Sequence, residues 1–319
     1  MHVAITGAAG LLGYKLAEAL LSRGHLAGNT LTKLTLFDRV APTSLPNDPR
    51  LEIISGNIIN PQAIGDITRE PDVLFHLAAV LSGEAEQNFD LGIEVNLHAT
   101  QRLLEACRQR ESPLRFILTS TTAVYGGEMP LLIEDITYLT PQSSYGTQKA
   151  ISELLLNDYS RRGFIDGRAI RLPTIVVRPG QPNQATSTFA SSIIREPLQG
   201  QPAVCPVTPE TRLWIMSPRR AIASLLRVAE LTAEAFGSSR AMALPGLSVS
   251  VQEMVAALRA IAGPAVAERI RWEPDPFIQN IVGSWPDRFA PKKAERLGFT
   301  GDESMAAIIQ AFIEDELGA

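Results

Sequence analysis

Tyr145 and Lys149 lie four positions apart in Tyr145-Gly-Thr-Gln-Lys149. On a helix that spacing puts both side chains on one face. A free phenol ionises near pH 10 (about 10 for a model peptide), too high for a base at neutral pH. An ammonium beside it favours the phenolate, so the pair reads as an acid/base usable near neutrality. Ser120-Thr121-Thr122 supplies hydroxyls at the carboxyl end of an apolar run. Ligands of open parallel sheets bind outside such strand ends. A hydroxyl there can hold a reacting oxygen while Tyr145 takes its proton. Tyr–Lys pairs on helix faces are common, so the combination carries the reading rather than the pair.

A second constellation handles phosphate. Gly7-Ala-Ala-Gly10-Leu11-Leu12-Gly13 follows a β-branched run over 2–6 and opens an amphipathic stretch over 11–23. Gly7 lets the strand turn, Gly10 lets backbone approach a pyrophosphate, and Gly13 lets helix and sheet pack closely. Free N–H groups and the dipole at the helix start favour the anion. Asp38 ends the second apolar run and can accept hydrogen bonds from ribose hydroxyls. Its charge repels a 2′-phosphate, which favours NAD over NADP. Arg39 follows it directly and keeps NADP open. Asn57-Ile58 follows the third run, where an adenine edge would lie, or is a plain turn. Leu77-Ala78-Ala79 ends the fourth, small enough for a flat cofactor to lie on its backbone.

These residues need a scaffold. Apolar runs at 34–37, 51–54, 73–77, 116–119 and 168–172 alternate with helical periodicity at 11–23, 88–110 and 144–161. That rhythm predicts right-handed βαβ crossovers and a doubly wound parallel sheet of Rossmann type. After about residue 176 proline becomes frequent and helices are predicted near 188–194, 219–235, 251–261 and 304–316. The expected organisation is a nucleotide-binding domain over 1–175 and a smaller α/β substrate-binding lobe over 176–319.

The 319 residues carry 29 basic and 34 acidic side chains, a net charge of -5, so nucleic acid is not an expected partner. Cys107 and Cys205 are far apart, and the four histidines lack metal-ligand spacing, so neither a disulfide framework nor a metal is expected. His76 reads as a core or near-site residue. No apolar stretch reaches the roughly 18 residues a membrane span needs. The expectation is a soluble, cytoplasmic protein.

Together Gly7-x-x-Gly10-x-x-Gly13, Asp38, Leu77-Ala-Ala79, Asn96, Thr121 and Tyr145-x-x-x-Lys149 resemble an extended short-chain dehydrogenase/reductase along essentially the whole chain. The resemblance implies a hydride-carrying cofactor, a Ser/Thr–Tyr–Lys catalytic set, and a structural or relay asparagine, here Asn96. It favours Thr121 over Ser120 as the catalytic hydroxyl, puts the carboxamide near Pro173, and implies that Lys149 bonds the nicotinamide ribose. It also implies a homodimer through the helices at 88–110 and 144–161. Within the family, segments 80–86, 141–149, 157–163, 171–180 and 194–197 resemble members that oxidise C2 of a short sugar acid with NAD. Arg171-Leu-Pro173-Thr174 lacks the asparagine that nucleotide-sugar members carry. A sugar-acid carboxylate needs a cation or several donors. Arg178, Arg212, Ser82, Thr186 and Ser187 are the candidates, with Ser120 and Thr174 also facing substrate. Trp285 reads as core packing or a pocket wall. A nucleotide-sugar epimerase or dehydratase and an L-threonine 3-dehydrogenase remain alternative readings. A non-catalytic cofactor sensor is disfavoured, because Tyr145 and Lys149 are both present.

Overall fold

The computed structural model describes residues 1–180 and 186–318. Its centre is a seven-stranded sheet. In chain order the strands are β1 (His2–Thr6), β2 (Lys33–Asp38), β3 (Leu51–Ser55), β4 (Val73–His76), β5 (Arg115–Thr121), β6 (Asp166–Leu172) and, much later, β9 (Ala241–Ala243). They lie side by side as β9-β6-β5-β4-β1-β2-β3, every pair parallel. Order reverses between β1 and β4, which opens a crevice at their carboxyl ends. Val3, Ile5, Leu34, Leu36, Leu74 and Phe75 are fully buried. Strands covered on both faces carry such uninterrupted apolar residues.

Helices α1 (Leu11–Arg23), α2 (Pro61–Thr68), α3 (Ser82–Gln87), α4 (Phe89–Gly92), α5 (Ala99–Arg108) and α6 (Ser144–Arg161) accompany these strands. The predicted helix over 88–110 is three pieces, since a π-helical segment, Ile93–His98, joins α4 to α5. Short α2, capped by the Asn60 side chain, carried too few periodic positions to be predicted. The connection after Gly24 holds a small hairpin, His25–Leu26 against Asn29–Thr30.

The remaining chain builds a second layer. Strands β7 (Thr174–Ile175), β8 (Arg212–Met216) and β10 (Leu247–Ser250) form a small sheet. Helices α7 (Thr188–Leu198), α9 (Val251–Ala262) and α10 (Met305–Phe312) share a core with it around Ile193, Leu213, Val249, Met254, Leu258 and Phe312. Helix α8 (Pro218–Glu230) behaves differently. Its Ala221, Leu225 and Val228 join the first core with Leu16 and Leu20 of α1, and β9 extends the large sheet. The chain thus returns to its first half after residue 176. No described helix is long and apolar enough to cross a membrane.

Candidate active site

A cleft of about 650 Å³ runs along the carboxyl ends of the strands. At one end it is lined by Gly7, Gly10, Leu11, Leu12, Gly13, Asp38, Asn57, Ile58, Leu77, Ala78 and Ala79. Gly7 has φ +74°, and a Cβ on it would sit 2.6 Å from the Ala78 nitrogen. A Cβ on Gly13 would overlap the Gly7 carbonyl and lie 2.8 Å from the Ala8 Cα. The loop is therefore pressed between β4 and α1, with no room for side chains. No side chain caps the start of α1 at Gly10, so its first N–H groups face the cleft unclaimed. Asp38 accepts hydrogen bonds from the Ala9 nitrogen at 2.9 Å and the Arg39 nitrogen at 2.6 Å. Each of its oxygens keeps a lone pair for a ribose hydroxyl. An uncapped helix start, a cradle that a Cβ would fill and an anchored strand-end carboxylate all fit a dinucleotide.

Tyr145 enters the cleft from the first turn of α6, which the Ser143 hydroxyl caps by accepting from the Gly146 nitrogen. Among the described residues the Tyr145 hydroxyl has no hydrogen-bond partner. Lys149, one turn on, is 1% exposed. Its Nζ lies 5.8 Å from the Tyr145 ring centroid and donates to the Thr119 carbonyl at 3.1 Å. The structure departs here from the sequence expectation. Burial pushes the Tyr145 phenol up to about 12 and draws the Lys149 ammonium down to about 8. Desolvation outweighs the ammonium because Nζ bonds a carbonyl beside the ring rather than the phenol oxygen.

Both strand-end hydroxyls line the cleft, as does Thr122. Thr121 Oγ accepts from the Ala123 nitrogen at 3.1 Å and caps a short 3-10 turn, which leaves its proton to donate. Ser120 Oγ is buried without a partner among the described residues. A buried orphan hydroxyl marks a place where a ligand group completes the bonding.

Asn96 and Lys149 stand behind the cleft wall. Asn96 is fully buried in the π-helical segment, with its Oδ1 accepting from the Val80 nitrogen at 2.8 Å. Its amide donates to the Val80 carbonyl at 3.0 Å and to Gln148 Oε1 at 2.8 Å. It ties the segment after β4 to α6. His76 is buried beneath, with Nδ1 on the Thr6 hydroxyl at 2.7 Å and Nε2 on the Thr100 hydroxyl at 3.0 Å. Thr100 donates to the Asn96 carbonyl, so it accepts from Nε2–H. Burial holds the His76 pKa down to about 3.

At the other end Ser82, Pro173, Thr174, Arg178 and Ser187 line the cleft; Thr186 and Arg212 do not. Arg212 is held 3.3 Å from Glu253 and 3.3 Å from Asp287, and donates to the Ser248 carbonyl. Arg178 differs. Its Nη2 lies 3.5 Å from the Thr188 hydroxyl, and no carboxylate pairs with it among the described residues. Burial and neighbouring Arg195 lower its pKa, as expected of a cation wanting an anion.

Several lining residues escaped the sequence reading. Trp214 lines the cleft and stacks on Phe289 at 5.1 Å, whereas Trp285, expected as core packing or a pocket wall, lines the cleft and packs against the second core. Alternation in β8, with Leu213 and Ile215 buried, is the signal that turns Trp214 the other way. Tyr125 and Glu84 also line the cleft, though neither was expected as a site residue.

Residues 3–215 match the NAD dependent epimerase/dehydratase family. The chain belongs to this family. It is an NAD-dependent dehydrogenase of the extended short-chain type, built on the Rossmann-like sheet that the sequence predicted. It is 52% identical to a D-erythronate dehydrogenase of Cupriavidus necator over 99% of this chain and 98% of that protein. It is 46% identical to a D-erythronate dehydrogenase of Haemophilus influenzae over 99% and 100%. Among solved structures it matches a nucleoside-diphosphate-sugar epimerase from Agrobacterium tumefaciens with a TM-score of 0.96 and 45% identity, covering 100% of this chain and 95% of that one.

Proposed function

We propose that this chain oxidises the C2 hydroxyl of a short sugar acid, D-erythronate, to the 2-oxo acid. One juxtaposition carries the reading. A single cleft holds an orphan hydroxyl on Ser120, an unpartnered phenol on Tyr145 and a guanidinium on Arg178 that no described carboxylate neutralises. Ser120 and Thr121 hold the substrate hydroxyl, and Tyr145 accepts its proton. NAD, when bound on the glycine loop, supplies the hydride acceptor. Lys149 favours the phenolate by its charge and Asn96 fixes the wall behind it. Arg178, with Ser82, Thr174 and Ser187 beside it, receives the carboxylate. Trp214, Trp285 and Pro286 wall that end with largely apolar surface, which suits a small substrate. The full-length likeness to two D-erythronate dehydrogenases supports the same substrate.

The second reading is oxidation of L-threonine, favoured by Glu84, whose carboxylate at the cleft could meet an ammonium. An NADH-absorbance assay over D-erythronate, L-threonate, L-threonine and a UDP-sugar separates the readings. Steady NADH production on D-erythronate, at least tenfold faster than on the others, is expected. Production on L-threonine alone, or none on any acid, would overturn the proposal.

The working assembly is proposed as a homodimer through α4 and α6, where Phe89, Ile151 and Leu154 present apolar side chains to solvent. The proposed compartment is the cytoplasm, consistent with Cys107 and Cys205, both buried and free.

A further inference from the structure

Lys149 sits in a buried charge cluster whose arrangement assigns a role to its neighbours. Glu153 follows it by one helical turn on the covered face of α6 and is 3% exposed. From β6, Arg171 grips that carboxylate with Nε at 3.0 Å and Nη2 at 2.7 Å. The remaining Nη1 donates to the Tyr125 hydroxyl at 2.5 Å, which comes from the turn after β5. From β5 the Thr119 carbonyl accepts a hydrogen bond from the lysine, and from β4 the neutral His76 ring packs below. Tyr145 completes the surroundings from α6 itself. Glu153 thus pairs directly with Arg171 and acts on Lys149 from one turn away, while Lys293 and Asp135 face the Arg171 and Tyr125 side of the cluster.

We propose that Glu153, clamped by Arg171, is a positioning residue that keeps Lys149 protonated behind Tyr145. The reasoning is electrostatic. Without Glu153 the buried lysine keeps no compensating carboxylate one turn away and Arg171 loses its partner, and a guanidinium does not give up its proton. Lys149 is the only one able to discharge. Burial already favours its neutral form, and Glu153 is the carboxylate whose charge opposes that. Ion-pairing to Arg171 alone would give Glu153 a purely structural role, locking α6 to β6. Such a role leaves the titration of Lys149 unmoved. The consequence for turnover rests on the roles proposed above for Tyr145 and Lys149; the protonation claim does not.

The chain has only five lysines, so carbon-13 labelling at Cε gives resolvable NMR signals, with Lys149→Arg assigning the one of interest. In Glu153→Gln the Lys149 signal should titrate at least one pH unit lower than in the unaltered chain, about a tenfold loss of proton affinity. Glu153→Asp, which keeps the charge, should restore most of it. The alkaline limb of kcat should move down by the same amount in Glu153→Gln. Should that variant fail to fold, Glu153→Gln with Arg171→Gln removes both charges of the pair, and a lowered Lys149 titration is still expected because Glu153 is the carboxylate that opposes its discharge. An unshifted Lys149 titration in a folded variant overturns the proposal. A shifted titration with an unmoved alkaline limb upholds it and instead refutes the catalytic role given to Lys149.

Discussion

Replacing Tyr145 by Phe removes one oxygen from the cleft and tests its proton chemistry. In the chain alone the phenol is pushed up to about 12. At pH 8 roughly one molecule in ten thousand then carries the phenolate, and bringing that to one half takes about 5 kcal/mol of differential stabilisation. Charged Lys149 supplies part of this once substrate and cofactor fill the cleft and exclude water, because Coulombic effects strengthen as the local dielectric falls. The positively charged nicotinamide ring of the oxidised cofactor would add to it. Adding NAD+ to the unaltered chain should therefore raise tyrosinate absorbance at a pH where the free chain shows none, and Tyr145→Phe should abolish the rise. In turnover, the base must be deprotonated, so log kcat should fall with falling pH below the phenol's apparent pKa in the complex. Tyr145→Phe should lose about 10²- to 10⁴-fold in kcat, the usual contribution of a positioned acid/base, and the residual rate should lack that acid limb. Its affinity for NADH should stay within about threefold, since the reduced ring carries no charge for the phenolate to feel. Turnover within tenfold of the unaltered chain, or an acid limb that survives the substitution, would refute the reasoning.

Three further outcomes follow from particular contacts. Asp38→Ala should weaken NAD binding about tenfold and narrow the preference over NADP, read by titrating both cofactors, since the 2′-phosphate then meets no anion. Gly13→Ala should lose dinucleotide binding and about 1–3 kcal/mol of stability in urea melts, because the new methyl overlaps the Gly7 carbonyl with no side chain able to yield. His76 refuses in the folded state a proton that the unfolded chain takes up below about pH 6.5, so stability should fall as pH drops through the window from 6.5 toward 3. The loss should be about 2 kcal/mol at pH 5, and melts of His76→Gln should show a shallower dependence on pH.

The nucleotide half of the site was legible because its chemistry is local. Gly7, Gly10 and Gly13 shape the backbone and Asp38 presents a carboxylate at fixed offsets from a strand, and period-two and period-3.6 patterns locate those strands and helices. Tyr145 and Lys149 were legible as a pair, but their charge states were not. Those depend on how completely β5, β6 and α6 wall them off, a property of packing. The substrate end was the least legible. Arg178 and Arg212 look alike in sequence, and only the tertiary placement of Glu253 and Asp287 beside Arg212 tells them apart. Trp214 reaches the cleft by strand alternation and Glu84 from the first turn of α3, which no local motif records. The π-helical segment at Asn96 was hidden for a related reason, since its apolar spacing still reads as one continuous helix.

The late return of β9 and α8 has a practical consequence for anyone dissecting this molecule. A fragment ending at residue 175 would leave the β6 backbone without its neighbour along Ala169–Arg171 and strip Ala221, Leu225 and Val228 from α1. Bare sheet edges of that kind recruit other chains. The excised piece should precipitate or self-associate on expression, and a protease nick near 180 should leave two pieces that stay together until denaturant is added.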